Sequence, residues 1–428
     1  MRTRFPLFAA GIALLCLLLL PGTTFAQSEK LQYQQPRSKA GVAMFETPKT
    51  DTVAYNGFAI DWGAAFTQQF QGLTHENAAG IASETNEDPN ALPEIGNGFN
   101  LATANLYLGA QLADGISVNL TTYLSSRHHP EAWVKGGYLQ VDKMAFLGSE
   151  SIDNLMKYVT LKVGHFEINY GDAHFRRTDN GNALYNPFVG NYIFDSFTTE
   201  IGGEVYLKAN GFLAMGAITG GEIRGSVTSP DDRAPSFYGK LGVDRQVSEL
   251  VRLRLTGSAY KTNRSLNNTL HSGDRAGSRY YSVMGGGDWS GRVNGVGFRN
   301  DVTAFMVNPF VQIEGLELFG TLEWATGSGA SEADDRSVNQ YAVEGVYRFL
   351  QNDQLYVSAR YNTLTGEITA PDSDVSVDRW QIGGGWFVTD NILAKVEYMR
   401  QTYNDYPAGS LYEDGEFNGF MVEGVVMF

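Results

Sequence analysis

Apolar and polar residues alternate along most of the chain after position 56. The stretch 249–261 shows the pattern, because apolar side chains stand at alternate positions: Val251, Leu253, Leu255 and Ala259. Strict alternation predicts a β-strand with one apolar face and one polar face. The alternating stretches are longer than the strands of most globular sheets. They have the length that a tilted strand needs to cross a bilayer.

Short turns rich in Gly, Asn and Asp separate some of these stretches, and long polar loops separate the others. Counting predicts sixteen strands near 57–70, 99–112, 116–126, 132–143, 158–167, 199–208, 211–220, 236–244, 249–261, 300–313, 316–327, 338–349, 355–366, 376–388, 392–403 and 415–428. The stretch 278–299 could hold another hairpin, which would make eighteen strands. A short helix is predicted over Ser149–Lys157. An even number of strands places both chain ends on the side of the short turns.

The sequence therefore predicts an all-β fold, a transmembrane antiparallel β-barrel with short periplasmic turns and long extracellular loops. A secreted β-protein of several domains is the alternative, since a sandwich gives the same alternation. Two features favour the barrel. No linker divides the chain, and aromatic residues cluster at strand ends, as in the interfacial girdles of membrane barrels: Trp62, Trp324, Trp380, Trp386, Tyr398, Tyr403 and Phe428.

The first residues have the pattern of a secretory signal peptide, with Arg2 and Arg4 before an apolar run and small residues before position 27. We predict a signal peptide at 1–26, a polar periplasmic arm at 27–56 and the barrel at 57–428. The chain has 428 residues, a formal net charge of −15 and one Cys, at position 16. A single Cys excludes a disulfide scaffold and a multi-Cys metal site. The acidity argues against nucleic acid as a partner. We predict no cofactor.

The last strand carries a more specific signal, because apolar residues share one face up to the chain end: Phe420, Val422, Gly424, Val426 and Phe428. This strand resembles the terminal strand of bacterial outer-membrane proteins. The resemblance implies recognition by the barrel-assembly machinery and a location in the outer membrane of a Gram-negative bacterium. Outer-membrane lipid and lipopolysaccharide would then surround the barrel.

The connection 168–198 is long, charged and aromatic. In this layout the chain resembles sixteen-stranded trimeric porins, whose third loop folds into the barrel and narrows the pore. The resemblance implies a homotrimer that passes small hydrophilic solutes by passive diffusion. The loop lacks the acidic motif of enterobacterial general porins, and its Arg and His residues lean toward the phosphate-selective porin type.

We expect the charged residues of this loop to form the pore constriction: Asp172, His174, Arg176, Arg177 and Asp179. The alternation places further basic residues on the inward face of the wall: Lys162, Lys240, Arg252, Arg254, Arg360 and Arg379. Charges in a narrow, partly desolvated constriction act with little screening. The alternative is an exposed loop whose charges pair locally and are solvated.

The leading prediction is thus a porin that is not an enzyme. A substrate-specific channel for phosphate or another anion is a second hypothesis. A barrel plugged by its own loops, with a role in adhesion or anchoring, is a third. Three short motifs contain residue types found in catalytic or metal sites, but none has the spacing or scaffold that such chemistry needs: His128-His129, Gly285–Gly287 and His271 with Ser272 and Asp274.

Overall fold

A computed structural model describes residues 30–50, 53–100, 102–125, 131–223, 227–265, 267–271, 280–285, 291, 293, 296–329, 331–370 and 373–428. The predicted signal peptide lies outside these residues. No helix in the described ranges is long and apolar enough to cross a bilayer.

Strands dominate the part of the chain that the structure describes. In chain order they are β1 (Ala59–Glu76), β2 (Gly98–Phe99), β3 (Thr103–Ala113), β4 (Ile116–Ser125), β5 (Glu131–Val141), β6 (Val159–Glu167), β7 (Thr199–Ala209), β8 (Phe212–Thr219), β9 (Ser236–Gln246), β10 (Val251–Thr262), β11 (Asp301–Ile313), β12 (Leu316–Ser328), β13 (Arg336–Phe349), β14 (Leu355–Gly366), β15 (Val375–Thr389), β16 (Ile392–Asn404) and β17 (Glu416–Met427). One α-helix, α1 (Glu150–Met156), lies between β5 and β6. This helix confirms the prediction for 149–157.

The strands form one closed antiparallel barrel. Each long strand pairs with the next along the chain, and β1 pairs with both β3 and β17, which closes the sheet. Ala65 shows the closure, because it lies opposite Asn105 on one side and Met427 on the other. The barrel has sixteen long strands, and the two-residue β2 adds a short extra pairing with β1. The predicted fold class is confirmed.

Short turns lie at one end of the barrel and long loops at the other. Residues with positive φ form the tight hairpins, as at Gly115 between β3 and β4 and at Asn210-Gly211 between β7 and β8. Asn and Gly adopt this backbone conformation at the lowest cost. Both ends of the barrel domain lie on the side of the short turns, as the even strand count requires.

The side chains of each strand divide between an apolar exterior and a lumen. In β10, Leu253 and Leu255 are exposed on the outside, whereas Arg254, Thr256 and Tyr260 are buried inside. In β17, the outward residues are the apolar set that ends at Phe428. This exterior is the surface that lipid contact requires.

Three segments fill much of the lumen. They are residues 30–50 of the arm, the connection 168–198 between β6 and β7, which we call the inner loop, and the described part of 263–300 between β10 and β11. Their apolar side chains pack against inward residues of the wall as one buried cluster, with members from each segment: Phe45, Ile193, Phe194, Leu270, Val283 and Phe298. The lumen is therefore largely occupied by protein.

The structure differs from the sequence predictions in three places. β1 continues to Glu76 rather than ending at 70, because its ladder with β17 extends to Glu416. Tyr403 is buried inside and stacks on Tyr412, since odd positions of β16 face the lumen; it does not belong to the outer girdle. The described residues of 278–299 form no strand.

Candidate functional site

The inner loop enters the lumen through a tight turn at its start. Gly171 has φ +67°, and a Cβ there would overlap the sulfur of Met306 on the opposite wall. The backbone N–H of Asp172 donates to the side-chain oxygen of Asn308 at 2.8 Å. The loop therefore contacts β11 as soon as it leaves β6.

Asp172 anchors the loop to the wall formed by β9 and β10. Its carboxylate accepts hydrogen bonds from Lys240 at 2.9 Å, from Arg254 at 2.8 Å and from Thr256 at 2.7 Å. Asp172 and Lys240 are both fully buried. A buried carboxylate needs such partners, because desolvation of an unpaired charge is costly.

Arg176 anchors the loop to β12 and β13. Its guanidinium donates to Glu317 at 3.0 Å and to Glu344 at 2.7 Å. Arg348 binds the same Glu317 at 2.9 Å, and Arg360 binds the same Glu344 at 2.8 Å. These five residues form one buried ionic network, which we call the arginine network.

Arg177 braces the loop internally. Its guanidinium forms two hydrogen bonds with the Asp195 carboxylate, at 2.8 and 2.5 Å, and lies 3.8 Å from the ring centre of Phe197. Asp179 forms an ion pair with Lys135 of β5. The loop is thus held across its width.

Residues 183–191 of the inner loop offer backbone carbonyls that accept hydrogen bonds from cationic side chains of the wall. Lys395 donates to the carbonyls of Ala183, Asn186 and Phe188 at 2.9–3.1 Å. Arg379 donates to the carbonyl of Asn191 at 2.6 Å. This part of the loop is therefore bonded directly to β15 and β16.

Open space lies on the other side of the inner loop. A cavity of about 330 Å³ separates residues 169–185 from the wall formed by β3 to β7, and arm residues 31–35 and 45–47 border it as well. Its lining mixes apolar and aromatic side chains with amides, hydroxyls and several charged groups: Lys135, Lys162, Lys208, His165, His174, Arg177, Glu46, Glu167 and Asp179.

The charged groups of this cavity are held by specific neighbours. Lys162 lies 3.3 Å from Glu204 and 4.5 Å from the ring centres of Tyr138 and Phe166. His174 contacts Glu167 at 2.5 Å through Nδ1. Lysines and carboxylates are equal in number along this lining, and charged groups of both signs beside aromatic rings can attract polar solutes.

The predicted site residues fall into two groups. Lys162, His174, Arg177 and Asp179 border the cavity, and they come from β6 and the inner loop. The others make contacts that hold the loop or the arm, and all of them except the half-buried Arg252 are buried: Asp172, Arg176, Lys240, Arg252, Arg254, Arg360 and Arg379. A role of either group in the constriction stays a prediction.

Sequence reasoning missed Lys135, Lys208 and Glu46. Lys208 shares the face of Glu204, four residues before it, so the alternation could have found it. Lys135 is itself the extra residue of a bulge between β4 and β5, because Thr121 lies opposite Gly136 and Thr122 opposite Val134, and alternation fails at such a shift. No signal in the sequence places Glu46 in the lumen.

The structure gives no support for a metal site within the described residues, where no group of three His, Cys, Asp or Glu side chains converges. Residues 128–129, 272, 274 and 286–287 of the three short motifs lie outside the described residues. His271 stacks on Phe194 with ring centres 4.3 Å apart and lies 3.2 Å from Glu323, so it is part of the lumen packing.

No protein-family model matches the sequence, and a comparison with curated proteins gives no match either. Solved structures do match the fold. The trimer form of OmpT, an outer membrane protein of Vibrio cholerae, has a TM-score of 0.51 and 12% identity, over 87% of this chain and 100% of that one. An anion-selective porin from Comamonas acidovorans has a TM-score of 0.53 and 9% identity, over 87% and 100%. The outer membrane channel DcaP of Acinetobacter baumannii has a TM-score of 0.51 and 10% identity, over 88% and 99%. The chain has the barrel fold of these outer-membrane porins and channels.

Proposed function

We propose that the protein is an outer-membrane porin of a Gram-negative bacterium that passes small hydrophilic solutes by passive diffusion. The observation that carries this proposal is the cavity, lined in part by charged and polar side chains, between the inner loop and the wall from β3 to β7, inside a closed barrel with an apolar exterior. Polar groups along such a cavity replace part of a solute's hydration shell. The fold shared with solved porins supports the same proposal.

The route through the barrel follows from which side of the inner loop is open. Solute would pass beside Lys135, Lys162 and Lys208, and not beside Lys240 and Arg254, where the loop is bonded directly to the wall. The homotrimer, the lipopolysaccharide contacts and the use of the barrel-assembly machinery belong to this proposal as well.

Planar-bilayer recording tests the proposal. We expect ohmic conductance that enters in groups of three equal steps, because each subunit of a trimer carries its own pore. Folded barrels of the full mature chain that never conduct, in any variant, would contradict the porin function.

A matched pair of cysteine variants tests the route. Thr121 on β4 lines the cavity, whereas Thr321 on β12 is buried and accepts a hydrogen bond from Asn308 at 3.2 Å. The only native Cys is Cys16, within the predicted signal peptide, so labelling is selective. A charged thiol reagent should reduce the conductance of Thr121→Cys and leave Thr321→Cys unchanged. The reverse result would place the route on the other side of the inner loop.

Two alternatives make different predictions in the same recording. A substrate-specific anion channel, favoured by the lysines of the cavity, would show conductance that saturates with phosphate or another anion. A plugged barrel with an adhesion or anchoring role, favoured by the filling of the lumen, would stay silent although folded. Phosphate selectivity stays a prediction.

A further inference from the structure

The arm lies inside the barrel at the end of the short turns, and the proposed function gives no role to it. It enters beside the turn between β3 and β4, where Gln32 donates to Asp114 at 3.0 Å and accepts from the backbone N–H of Gly115 at 2.8 Å. It then reaches the turn between β15 and β16, where the N–H of Lys39 donates to the carbonyl of Asp390 at 2.7 Å. The arm thus spans separate sectors of the periplasmic mouth.

The deepest part of the arm is Phe45-Glu46. The Glu46 carboxylate contacts Arg254 at 2.7 Å, Lys240 at 3.3 Å and the side-chain amide of Asn169 at 3.0 Å. The ring of Phe45 is 3% exposed, and its centre lies 4.2 Å from the guanidinium carbon of Arg254. These two side chains insert between the inner loop and β10.

The arm also borders the cavity through which we propose that solute passes. Its residues 31–35 and 45–47 form part of the cavity lining. Lys208 of β7 donates to the carbonyl of Thr47 at 2.6 Å, and Lys49 donates to Asp142 at 3.0 Å. The arm therefore lies across the periplasmic exit of the proposed route.

The arm is held differently from the barrel strands. Among the described residues, one backbone hydrogen bond joins it to the barrel, from Lys39 to Asp390, and side chains make the other polar contacts. A segment that adds no strand to the ladder can detach without breaking the barrel, at a cost set by those contacts. This distinguishes the arm from a structural element of the wall.

We infer that the arm is a tethered gate that closes the periplasmic end of the channel, and that Glu46 is its latch. This inference rests on the proposed function. Release of Glu46 from Lys240 and Arg254 would free the arm to leave the cavity. The channel would then conduct at a higher level while the barrel and the inner loop stay in place.

The test compares single-channel conductance of the full mature chain with that of the double variant Phe45→Ala, Glu46→Ala. We expect the double variant to conduct severalfold more, or to switch often to a higher level. Glu87→Ala is the matched control, because it removes the same charge from an exposed loop position between β1 and β2. The control should behave as the unaltered protein does.

A second variant tests the gate without weakening the latch. Lys39→Cys with Asp390→Cys joins two residues whose backbones are already hydrogen bonded, a separation that suits a disulfide. The oxidised form should hold the low conductance without switching, and a reductant should restore the behaviour of the unaltered protein.

The outcomes separate the two proposals. Equal, non-zero conductance of the double variant and the unaltered protein would overturn the gate and leave the porin function standing. Conductance of the double variant alone would support both proposals. Silence of every variant, with the barrels folded, would overturn the porin function itself.

Discussion

Single residues decide how firmly the inner loop is fixed, and Arg176 is one of them. Its three hydrogen bonds to Glu317 and Glu344 are all buried. Charged groups at such sites stabilise only when every partner is present, because a carboxylate that loses its donor stays desolvated. The arginine network therefore acts as a clamp between the inner loop and two strands.

Arg176→Ala should lower the free energy of unfolding by about 2–4 kcal/mol, the range for breaking a buried, hydrogen-bonded ion pair. Thermal or denaturant unfolding in detergent measures the change. Arg400→Ala is the matched control, because Arg400 also forms two hydrogen bonds to a glutamate, Glu416, but is exposed. Arg400→Ala should leave the free energy of unfolding unchanged within error. Equal effects of the two variants would show that burial of the network contributes nothing.

At the scale of single residues, the sequence predicted which side chains point into the barrel but not which other side chains pack over them. Alternation placed Arg360 and Arg379 on the inward face, and both are inward. It could not show that Phe188 and Tyr192 cover Arg360, with ring centres 4.1 and 4.3 Å from its guanidinium. That contact joins parts of the chain that are far apart in sequence. The alternation of apolar and polar residues carries no information about such distant pairs.

Whole strands and turns were the most predictable elements. The number and order of the strands, and the side of the barrel to which each side chain points, follow from the period of two and from Gly, Asn and Asp at tight turns. The loops and the arm were less predictable, because their conformation depends on contacts inside the closed barrel. The fold into the lumen was anticipated for 168–198 only through resemblance to porins, and for the arm not at all.

The turn at Gly171 controls where the inner loop starts. Gly171→Ala should destabilise the barrel by about 1–3 kcal/mol, since a Cβ adds strain at positive φ and also collides with Met306. Gly409→Ala is the matched control. Gly409 also has positive φ, +75°, but no atom lies within 4 Å of a Cβ built there, so only the backbone strain remains. The unfolding midpoint measures both, and an equal drop would contradict the role of the collision.

At the scale of the whole molecule, the proposed gate would give the channel a defined response to pH. Burial alone would raise the pKa of Glu46, but the nearby Lys240 and Arg254 outweigh both burial and the repulsion from Asp172, and they lower it from 4.5 to about 2. A carboxyl whose pKa is lowered by folding stabilises its contact above its unfolded pKa, and this stabilisation is lost as the pH falls through the lowered value.

Conductance should therefore stay constant from about pH 8 to about pH 5 and rise as the pH falls further toward 2, because protonation of Glu46 releases the arm. Recordings across this range measure the response. In Glu46→Gln the carboxyl cannot titrate, so the rise at low pH should be absent or much smaller. An equal rise in Glu46→Gln would assign the pH response to other groups.

The arginine network also has a consequence for the order of assembly. Arg176 and its partner Glu344 are 168 positions apart in the chain, and Lys395 and the carbonyl of Ala183 are 212 apart. The inner loop is synthesised early, whereas the strands that hold its partners are synthesised later. Its charges can pair only when those strands arrive, so packing of the lumen and sealing of the seam between β1 and β17 should occur as one late, cooperative event.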